Sequence, residues 1–185
     1  MKQIFVTLVL LVTTLTAYGM SSEGFVLKSP QLKPGQRMPD AQVYNSFGCT
    51  GKNISPALSW EGAPEKTKSF AITMYDPDAP TGSGWWHWIV FNIPAKVTSL
   101  PANAGKIDSR SLPKEAIQSR TDFGIPGYGG ACPPVGDQPH RYIFTVYSLD
   151  VPTLDLDANA SGAMIGYYLN AHMLGKTSLI VNHSR

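Results

Sequence analysis

The stretch from Asp76 to Pro94, DPDAPTGSGWWHWIVFNIP, constrains the fold more than any other part of the chain. Its first nine residues combine aspartate, proline and glycine, which set the unusual backbone angles of turns. Val90, Phe91 and Ile93 then form an apolar, β-favouring run that is typical of a buried strand. The sequence therefore predicts a turn that leads directly into a strand and brings carboxylates, tryptophans and a histidine to one place.

Three polar residues of this stretch, Asp76, Asp78 and His87, have two interpretations. They can form part of a binding site at the start of the strand. Alternatively, the aspartates only cap the turn and the histidine is a hydrogen-bonded core residue. The pattern alone leaves both interpretations open.

The rest of the chain contains several strand-like runs and one helix-like segment. The helix is predicted over residues 157–174, beginning at Asn159 or Ser161 and ending before Gly175. Strands are predicted at residues 25–27, 70–75, 140–149 and 178–181. Because turns separate the strands and no strand–helix alternation appears, we predict a mostly β protein. The expected architecture is two packed antiparallel sheets with one or two peripheral helices.

The first 19 residues have the layout of a secretory signal peptide. Lys2 precedes an apolar run at residues 4–15, and Ala17 and Gly19 are small residues at the −3 and −1 cleavage positions. The alternative is a membrane anchor, but the run is shorter than the ~20 residues that a span needs. We predict an exported protein, periplasmic or secreted, with one domain over residues 20–185 and at most peripheral contact with a membrane.

The two cysteines, Cys49 and Cys132, are interpreted in the light of export. In an oxidising compartment they can form a stable disulfide. Closing so long a loop would stabilise the fold by roughly 4–5 kcal/mol in the chain-entropy model. Two buried free thiols are the alternative, and sequence alone does not show whether the cysteines are close in space.

Charge and motif content argue against several classes of function. The formal net charge is +2, and no run of Lys and Arg is interleaved with aromatic residues, so nucleic-acid binding is not predicted. The glycine-rich block at residues 120–134 lacks the Gly-Lys-Ser/Thr ending of a phosphate-binding loop. The chain has neither HExxH nor GxSxG, so we predict no enzyme and no cofactor or metal. A hydrolase that holds Zn²⁺ or Mn²⁺ through aspartates and histidines is the least favoured alternative.

Four segments in this order resemble the phosphatidylethanolamine-binding proteins, and in particular the bacterial Raf-kinase-inhibitor-like (YbhB/YbcL) branch. The segments are CTGKNISPALSW, DPDAPTGSGWWHW, GYGGACPP and HRYIFTVYSL. The resemblance extends from about residue 25 to the end of the chain. It implies a β-sandwich-like fold with a small pocket at one end.

The resemblance also implies which residues form that pocket, which in the family takes phosphate, phosphoethanolamine or similar anions. Carried over by motif, they are Asp76, Asp78, Trp86, His87, Gly130, Pro133, Pro134, His140 and Tyr142. The predicted partner is a small anion or phospho-headgroup. The alternative is an inhibitor or interaction module that acts on a protease or another enzyme.

This residue set is chemically unusual for an anion site because it contains two carboxylates. We predict that Asp76 and Asp78 hydrogen-bond the two histidines, orient them and favour their protonated forms. Protonated His87 and His140, together with the Tyr142 hydroxyl and backbone N–H groups of the glycine-rich loop, would then donate to the anion. Affinity for the anion should in that case rise as the pH falls.

Overall fold

The computed structural model describes residues 24–185, and the predicted signal peptide at residues 1–19 lies outside them. The described residues form eight strands and one α-helix. In chain order these are β1 (Val26–Lys28), β2 (Leu58–Glu61), β3 (Ser69–Asp76), β4 (Trp85–Pro94), β5 (Ser99–Leu100), β6 (Ile117–Gln118), β7 (His140–Leu149), α1 (Gly162–His172) and β8 (Met173–His183). The helix of this region is too short to cross a membrane.

The strands form two sheets, and every pairing between named strands is antiparallel. The larger sheet has the order β6-β4-β3-β7-β8, and the smaller has the order β1-β2-β5. This arrangement confirms the prediction of a mostly β protein with two antiparallel sheets, and it has one helix. Strand β7 covers the whole of the predicted run at residues 140–149.

The core consists of two apolar clusters on opposite faces of the five-stranded sheet. Strand β3 shows why, because side chains alternate between the faces of a strand. Phe70, Ile72 and Met74 pack in the cluster shared with the smaller sheet, whereas Ala71 packs in the cluster shared with α1. Such a strand is apolar on both faces, as a sheet covered on both sides requires.

Strand β4 departs from this alternation at two places. Asn92 has a positive φ of 60°, and its side chain bonds both the N–H and the C=O of Leu154. Near its start, the register shifts between Trp86 and Trp88, so that His87 is an extra residue in the strand. Such bulges re-aim side chains. Trp86 therefore packs on the α1 side, whereas Trp88 packs in the cluster between the sheets.

Helix α1 is shorter than the predicted segment at residues 157–174. Ser161 is its N-cap, as predicted, and the Ser161 hydroxyl accepts a hydrogen bond from the Met164 N–H. The predicted end at Gly175 is wrong, because the backbone is already extended at Met173. Gly175 pairs with Ser148 inside the sheet, so pairing with β7 ends the helix earlier.

Candidate functional site

A small pocket lies at one end of the larger sheet, where β3 ends and β4 and β7 begin. Its volume is about 190 Å³. We call it the strand-end pocket. Four polar side chains of the strands meet a wall of mostly apolar loop residues. The lining consists of Phe47, Asp76, Ala79, Pro80, Thr81, Trp85, His87, Phe123, Cys132, Pro133, Pro134, His140 and Tyr142.

Six of the nine predicted pocket residues are brought together in this lining. They are Asp76, His87, Pro133, Pro134, His140 and Tyr142. The other three, Asp78, Trp86 and Gly130, are not part of the lining, and each has a different structural reason.

Asp76 and His140 form a buried pair at the base of the pocket. His140 Nδ1 lies 2.8 Å from Asp76 Oδ2, and both side chains are almost fully buried. Asp76 Oδ1 accepts a second hydrogen bond from the Asp78 N–H. On the other side of the ring, His140 Nε2 is 3.4 Å from Asp137 Oδ2, a carboxylate that is 41% exposed. His140 thus lies between the carboxylates of Asp76 and Asp137.

His87 connects β4 to the glycine-rich loop and is neutral. Its Nδ1 lies 2.8 Å from the Gly129 carbonyl oxygen, and because a carbonyl only accepts, Nδ1 carries the proton. The Gly129 N–H donates in return to the His87 carbonyl. Burial lowers the pKa of His87 to about 4, which leaves Nε2 unprotonated near pH 7. The prediction that both histidines are protonated is therefore wrong for His87.

Two further side chains of the lining hold buried donors. The Tyr142 hydroxyl and Trp85 Nε1 are both inaccessible, and neither has a hydrogen-bond partner among residues 24–185. Burial, followed by the nearby charge of Asp76, raises the pKa of Tyr142, so the hydroxyl keeps its proton. Indole N–H is only a donor, and a protonated phenol can donate. The pocket wall therefore contains two buried donors without a hydrogen bond of normal geometry among the described residues, although the Asp76 carboxylate interacts with the Tyr142 hydroxyl.

Asp78 does not orient a histidine, which corrects the prediction. Its carboxylate forms a two-pronged ion pair with Arg141, with Nε at 2.8 Å from Oδ2 and Nη2 at 2.7 Å from Oδ1. The Arg141 N–H also donates to Oδ2. These bonds to Arg141 lower the pKa of Asp78 to about 2. Asp78 thus attaches the turn after β3 to the start of β7.

Trp86 and Gly130 also have structural positions outside the lining. Trp86 packs against Tyr75, with ring centroids 4.7 Å apart, and against Gly162 of α1. Gly130 lies where the glycine-rich loop touches the segment at residues 42–44, and a Cβ there would come within 2.5 Å of Tyr44 N. Its N–H donates to Asn53 Oδ1. Gly130 is therefore required for close backbone approach.

Sequence reasoning missed seven residues of the lining. Phe123 is the most central of them, because its ring contacts Tyr44, Phe47, Trp85 and His87 at centroid distances of 4.6–5.9 Å. Nothing in its local sequence indicates this role. Trp85 and Cys132 could have been found, since each directly adjoins a predicted pocket residue. The missed residues are Phe47, Ala79, Pro80, Thr81, Trp85, Phe123 and Cys132.

Cys132 is joined to Cys49 by a disulfide, which places the loop at residues 47–51 beside the pocket wall. Within the part of the chain that the structure describes, no group of three or more His, Cys, Asp or Glu side chains is arranged to hold a metal ion.

Comparison with known proteins places these features in a family. The family model described as "Phosphatidylethanolamine-binding protein" matches residues 28–184. YbcL of Escherichia coli K12 is 50% identical over 179 residues, which covers 97% of this chain and 96% of YbcL. YbhB of the same organism is 50% identical over 153 residues, or 83% of this chain and 96% of YbhB.

Solved structures agree with the sequence relatives. The crystal structure of E. coli YbcL, described as a new member of the mammalian PEBP family, matches with a TM-score of 0.86 at 51% identity. That match covers 87% of this chain and 98% of the YbcL chain. A putative homologue from Chlamydia trachomatis matches with a TM-score of 0.72 at 28% identity, covering 88% of this chain and 98% of that one. The chain therefore belongs to the phosphatidylethanolamine-binding protein family, in its YbhB/YbcL branch.

Proposed function

We propose that this protein binds a small phosphate-bearing ligand, free or as a phospho-headgroup, in the strand-end pocket. The observation that carries the proposal is the pair of buried donors, Tyr142 hydroxyl and Trp85 Nε1, neither of which makes a hydrogen bond of normal geometry within the described chain. Leaving a donor buried and unpaired costs about 1–3 kcal/mol. Phosphate oxygens are strong acceptors, and one tetrahedral group can serve two donors at once.

The charges around the pocket favour a singly charged phosphate. Asp76 would repel a dianion, but its pairing with His140 makes the two side chains neutral together when the imidazole is protonated. His87 Nε2 is an acceptor, and it can accept from the P–OH of a monoprotonated phosphate or from an ammonium group. Affinity for a phosphomonoester should therefore rise as the pH falls through the second phosphate pKa of about 6.

The same pocket supports binding rather than catalysis. Three lining residues carry hydroxyl or sulfur groups that could act as nucleophiles, and each is occupied or inactive. Thr81 donates its hydroxyl to the Gly84 carbonyl, and Cys132 is in the disulfide. Burial raises the pKa of Tyr142, which removes the phenolate at physiological pH. We therefore propose a binding protein without hydrolase activity, and release of inorganic phosphate from phosphoethanolamine would contradict this.

We also propose that the protein is exported and that residues 1–19 are removed. The Cys49–Cys132 disulfide is compatible with an oxidising compartment outside the cytoplasm. N-terminal sequencing of the protein recovered from a periplasmic or culture fraction should begin at Met20. An uncleaved protein retained in the cytoplasm would contradict export.

The binding proposal is tested by calorimetric titration with O-phosphoethanolamine, comparing the wild type with Tyr142→Phe. Loss of one hydrogen bond to a charged group should weaken binding about tenfold. Tyr147→Phe is the matched control, because Tyr147 packs on the α1 side of the sheet and should leave affinity unchanged. The Tyr142→Phe protein should be as stable as the wild type or about 1 kcal/mol more stable, since the substitution removes an unpaired buried hydroxyl.

Equal affinity in Tyr142→Phe and the wild type would place the ligand outside the strand-end pocket. No heat from a folded wild-type protein would reject the proposal and favour a protein partner. In that case the mouth of the pocket is the first surface to test, because the apolar side chains Phe47 and Val135 are 66% and 76% exposed there.

A further inference from the structure

A second cavity lies on the other side of the disulfide from the strand-end pocket. Its volume is about 370 Å³, and it shares no lining residue with that pocket. Cys49 lines this cavity, whereas Cys132 lines the strand-end pocket. We call it the Arg37 cavity. Its polar lining consists of Arg37, Asp40, Thr50, His183, Ser184 and Arg185.

The backbone brings three basic side chains to this cavity. The segment before β2 runs beside the end of β8, where the Met38 N–H donates to the Asn182 carbonyl and Arg37 pairs with Asn182. Arg37 is thereby fixed next to His183. Arg185 lies two positions beyond His183, and the side chains of both line the cavity.

The two guanidinium groups keep unused donors. Arg37 Nη1 lies 2.9 Å from Asp40 Oδ1, which occupies one edge of its fork. Arg185 donates Nε to the Pro133 carbonyl at 2.6 Å, and its Nη1 lies against Gly48, where a Cβ would be 3.1 Å away. The main-chain oxygen of Arg185 accepts a hydrogen bond from the Gly136 N–H, which ties the backbone at Arg185 to the loop that contains Gly136. Asp40 is the one acidic side chain of the lining, and it pairs with Arg37.

His183, the last residue of β8, adds a buried imidazole to the lining of the cavity. The residue is 4% exposed, and its Nδ1 is buried without a hydrogen-bond partner anywhere in residues 24–185. Burial and the positive charges of Arg37 and Arg185 lower the pKa of His183, although Asp40 and the Met38 backbone oppose them. A buried ring nitrogen that lacks a hydrogen-bond partner needs an explanation, and a ligand held in a cavity lined by two arginines would provide one.

We propose that the Arg37 cavity is a second oxyanion site, which takes a phosphate or sulfate group either free or attached to a small molecule. Guanidinium groups bind such groups through parallel N–H bonds, and two arginines line this cavity. A neutral imidazole donates one further hydrogen bond, which would pair the His183 ring. This proposal is independent of ligand binding in the strand-end pocket.

The test is a titration with inorganic sulfate at about pH 7.5, where sulfate keeps its charge and neutral His183 is favoured. Binding is followed by NMR of the histidine ring nitrogens and the backbone amides. Saturable shifts are expected at His183, Gly48 and Gly51. Arg37→Gln should weaken sulfate binding about tenfold. Arg37→Lys keeps the positive charge but cannot form two parallel N–H bonds, so its affinity should lie between those of the wild type and Arg37→Gln.

Two variants serve as controls. Arg110→Gln removes the same charge from an exposed position outside the Arg37 cavity, and Tyr142→Phe alters only the strand-end pocket. Both should bind sulfate in the Arg37 cavity as the wild type does. The same titration is made with inorganic phosphate and with glycerol 3-phosphate. Tighter binding of glycerol 3-phosphate would indicate that the ligand is a phosphate group attached to a small molecule. Equal binding of the two would indicate that the ligand is a free inorganic anion.

Shifts at His183 that rise linearly without saturation would overturn the proposal. Equal weakening in Arg37→Gln and Arg110→Gln would also overturn it, because the effect would then reflect net charge alone. If Tyr142→Phe removes the His183 shifts while Arg37→Gln retains them, the anion binds in the strand-end pocket and the second site does not exist.

Discussion

His87 stands near two carboxylates, Asp76 and Asp122, whose negative charges raise the pKa of its imidazole. Complete burial acts in the opposite direction and is the larger effect, so the ring is neutral. Sequence reasoning could identify neighbouring charges, because Asp76 lies in the same motif. It could not predict the burial, which depends on Phe123 and on Gly129, a residue 42 positions further along the chain.

Asp78 leads to a prediction about pH and stability. Its pKa falls from 3.8 to about 2 on folding, so the Arg141 pair stabilises the protein above about pH 4 and this contribution is lost as the pH falls toward 2. Asp78→Asn should lower the free energy of unfolding at pH 7 by about 1 kcal/mol, a modest value because the pair is partly exposed. Urea unfolding at several pH values measures this.

Near pH 2 the two proteins should be equally stable. Affinity for phosphoethanolamine should be unchanged in Asp78→Asn, because Asp78 is not part of the pocket lining. A stability difference that persists unchanged at pH 2, or a loss of affinity at pH 7, would show that Asp78 acts through something other than Arg141.

At the scale of elements, the facing of side chains can be predicted from the sequence only where a strand is regular. Strand β7 is regular over its first residues, so His140 and Tyr142, two apart, line the same pocket as the two-residue period predicts. Strand β4 contains the bulge at His87, so Trp86 and Trp88 lie in different clusters although they are two positions apart. No local pattern in β4 reveals a bulge, so nothing in the sequence could correct the assignment of Trp86 to the pocket, which rested on the family resemblance.

The position of Trp86 predicts contrasting effects of two glycine substitutions in α1. A Cβ at Gly162 would lie 2.5 Å from Trp86 Cγ, so Gly162→Ala should destabilise the protein by about 1–3 kcal/mol through overpacking. At Gly166 the nearest Trp86 atom is 3.8 Å away, and Gly166→Ala should stabilise the helix by about 0.5–1 kcal/mol. Urea unfolding of both variants measures the difference.

Neither substitution should change ligand affinity, because α1 and Trp86 lie outside the strand-end pocket. Equal stabilities of the two variants would mean that Trp86 is not packed against Gly162. If Gly162→Ala instead reduces the affinity for the ligand and leaves stability unchanged, Trp86 contributes to ligand binding.

At the scale of the whole molecule, the site depends on segments that are far apart in sequence. The four motifs in their order were sufficient for the family, and three of them overlap strands β2, β3, β4 and β7, whereas GYGGACPP forms a loop. They could not show that the loops at residues 47–51 and 132–134 meet, because that contact is made across the molecule. The disulfide between these loops separates the two cavities.

The Cys49–Cys132 bond should therefore contribute both to stability and to binding. It closes a sequence separation of 83 residues, and removing a natural disulfide from a small secreted domain costs about 2–5 kcal/mol. Cys49→Ala/Cys132→Ala should unfold at lower urea concentration than the oxidised wild type. Affinities in both cavities should also fall, because Cys132 adjoins the Pro133–Pro134 wall and Cys49 adjoins Gly48 beside Arg185.

The reduced wild type provides the matched comparison for this variant. Reductant should lower the wild-type unfolding midpoint to that of Cys49→Ala/Cys132→Ala and should have no effect on the variant itself. If the reduced wild type unfolds at the midpoint of the oxidised form, the bond adds nothing to stability. If stability falls while both affinities stay constant, the loops keep their positions without the disulfide, and the hydrogen bond from Tyr44 N–H to the Ala131 carbonyl is sufficient to position the pocket wall.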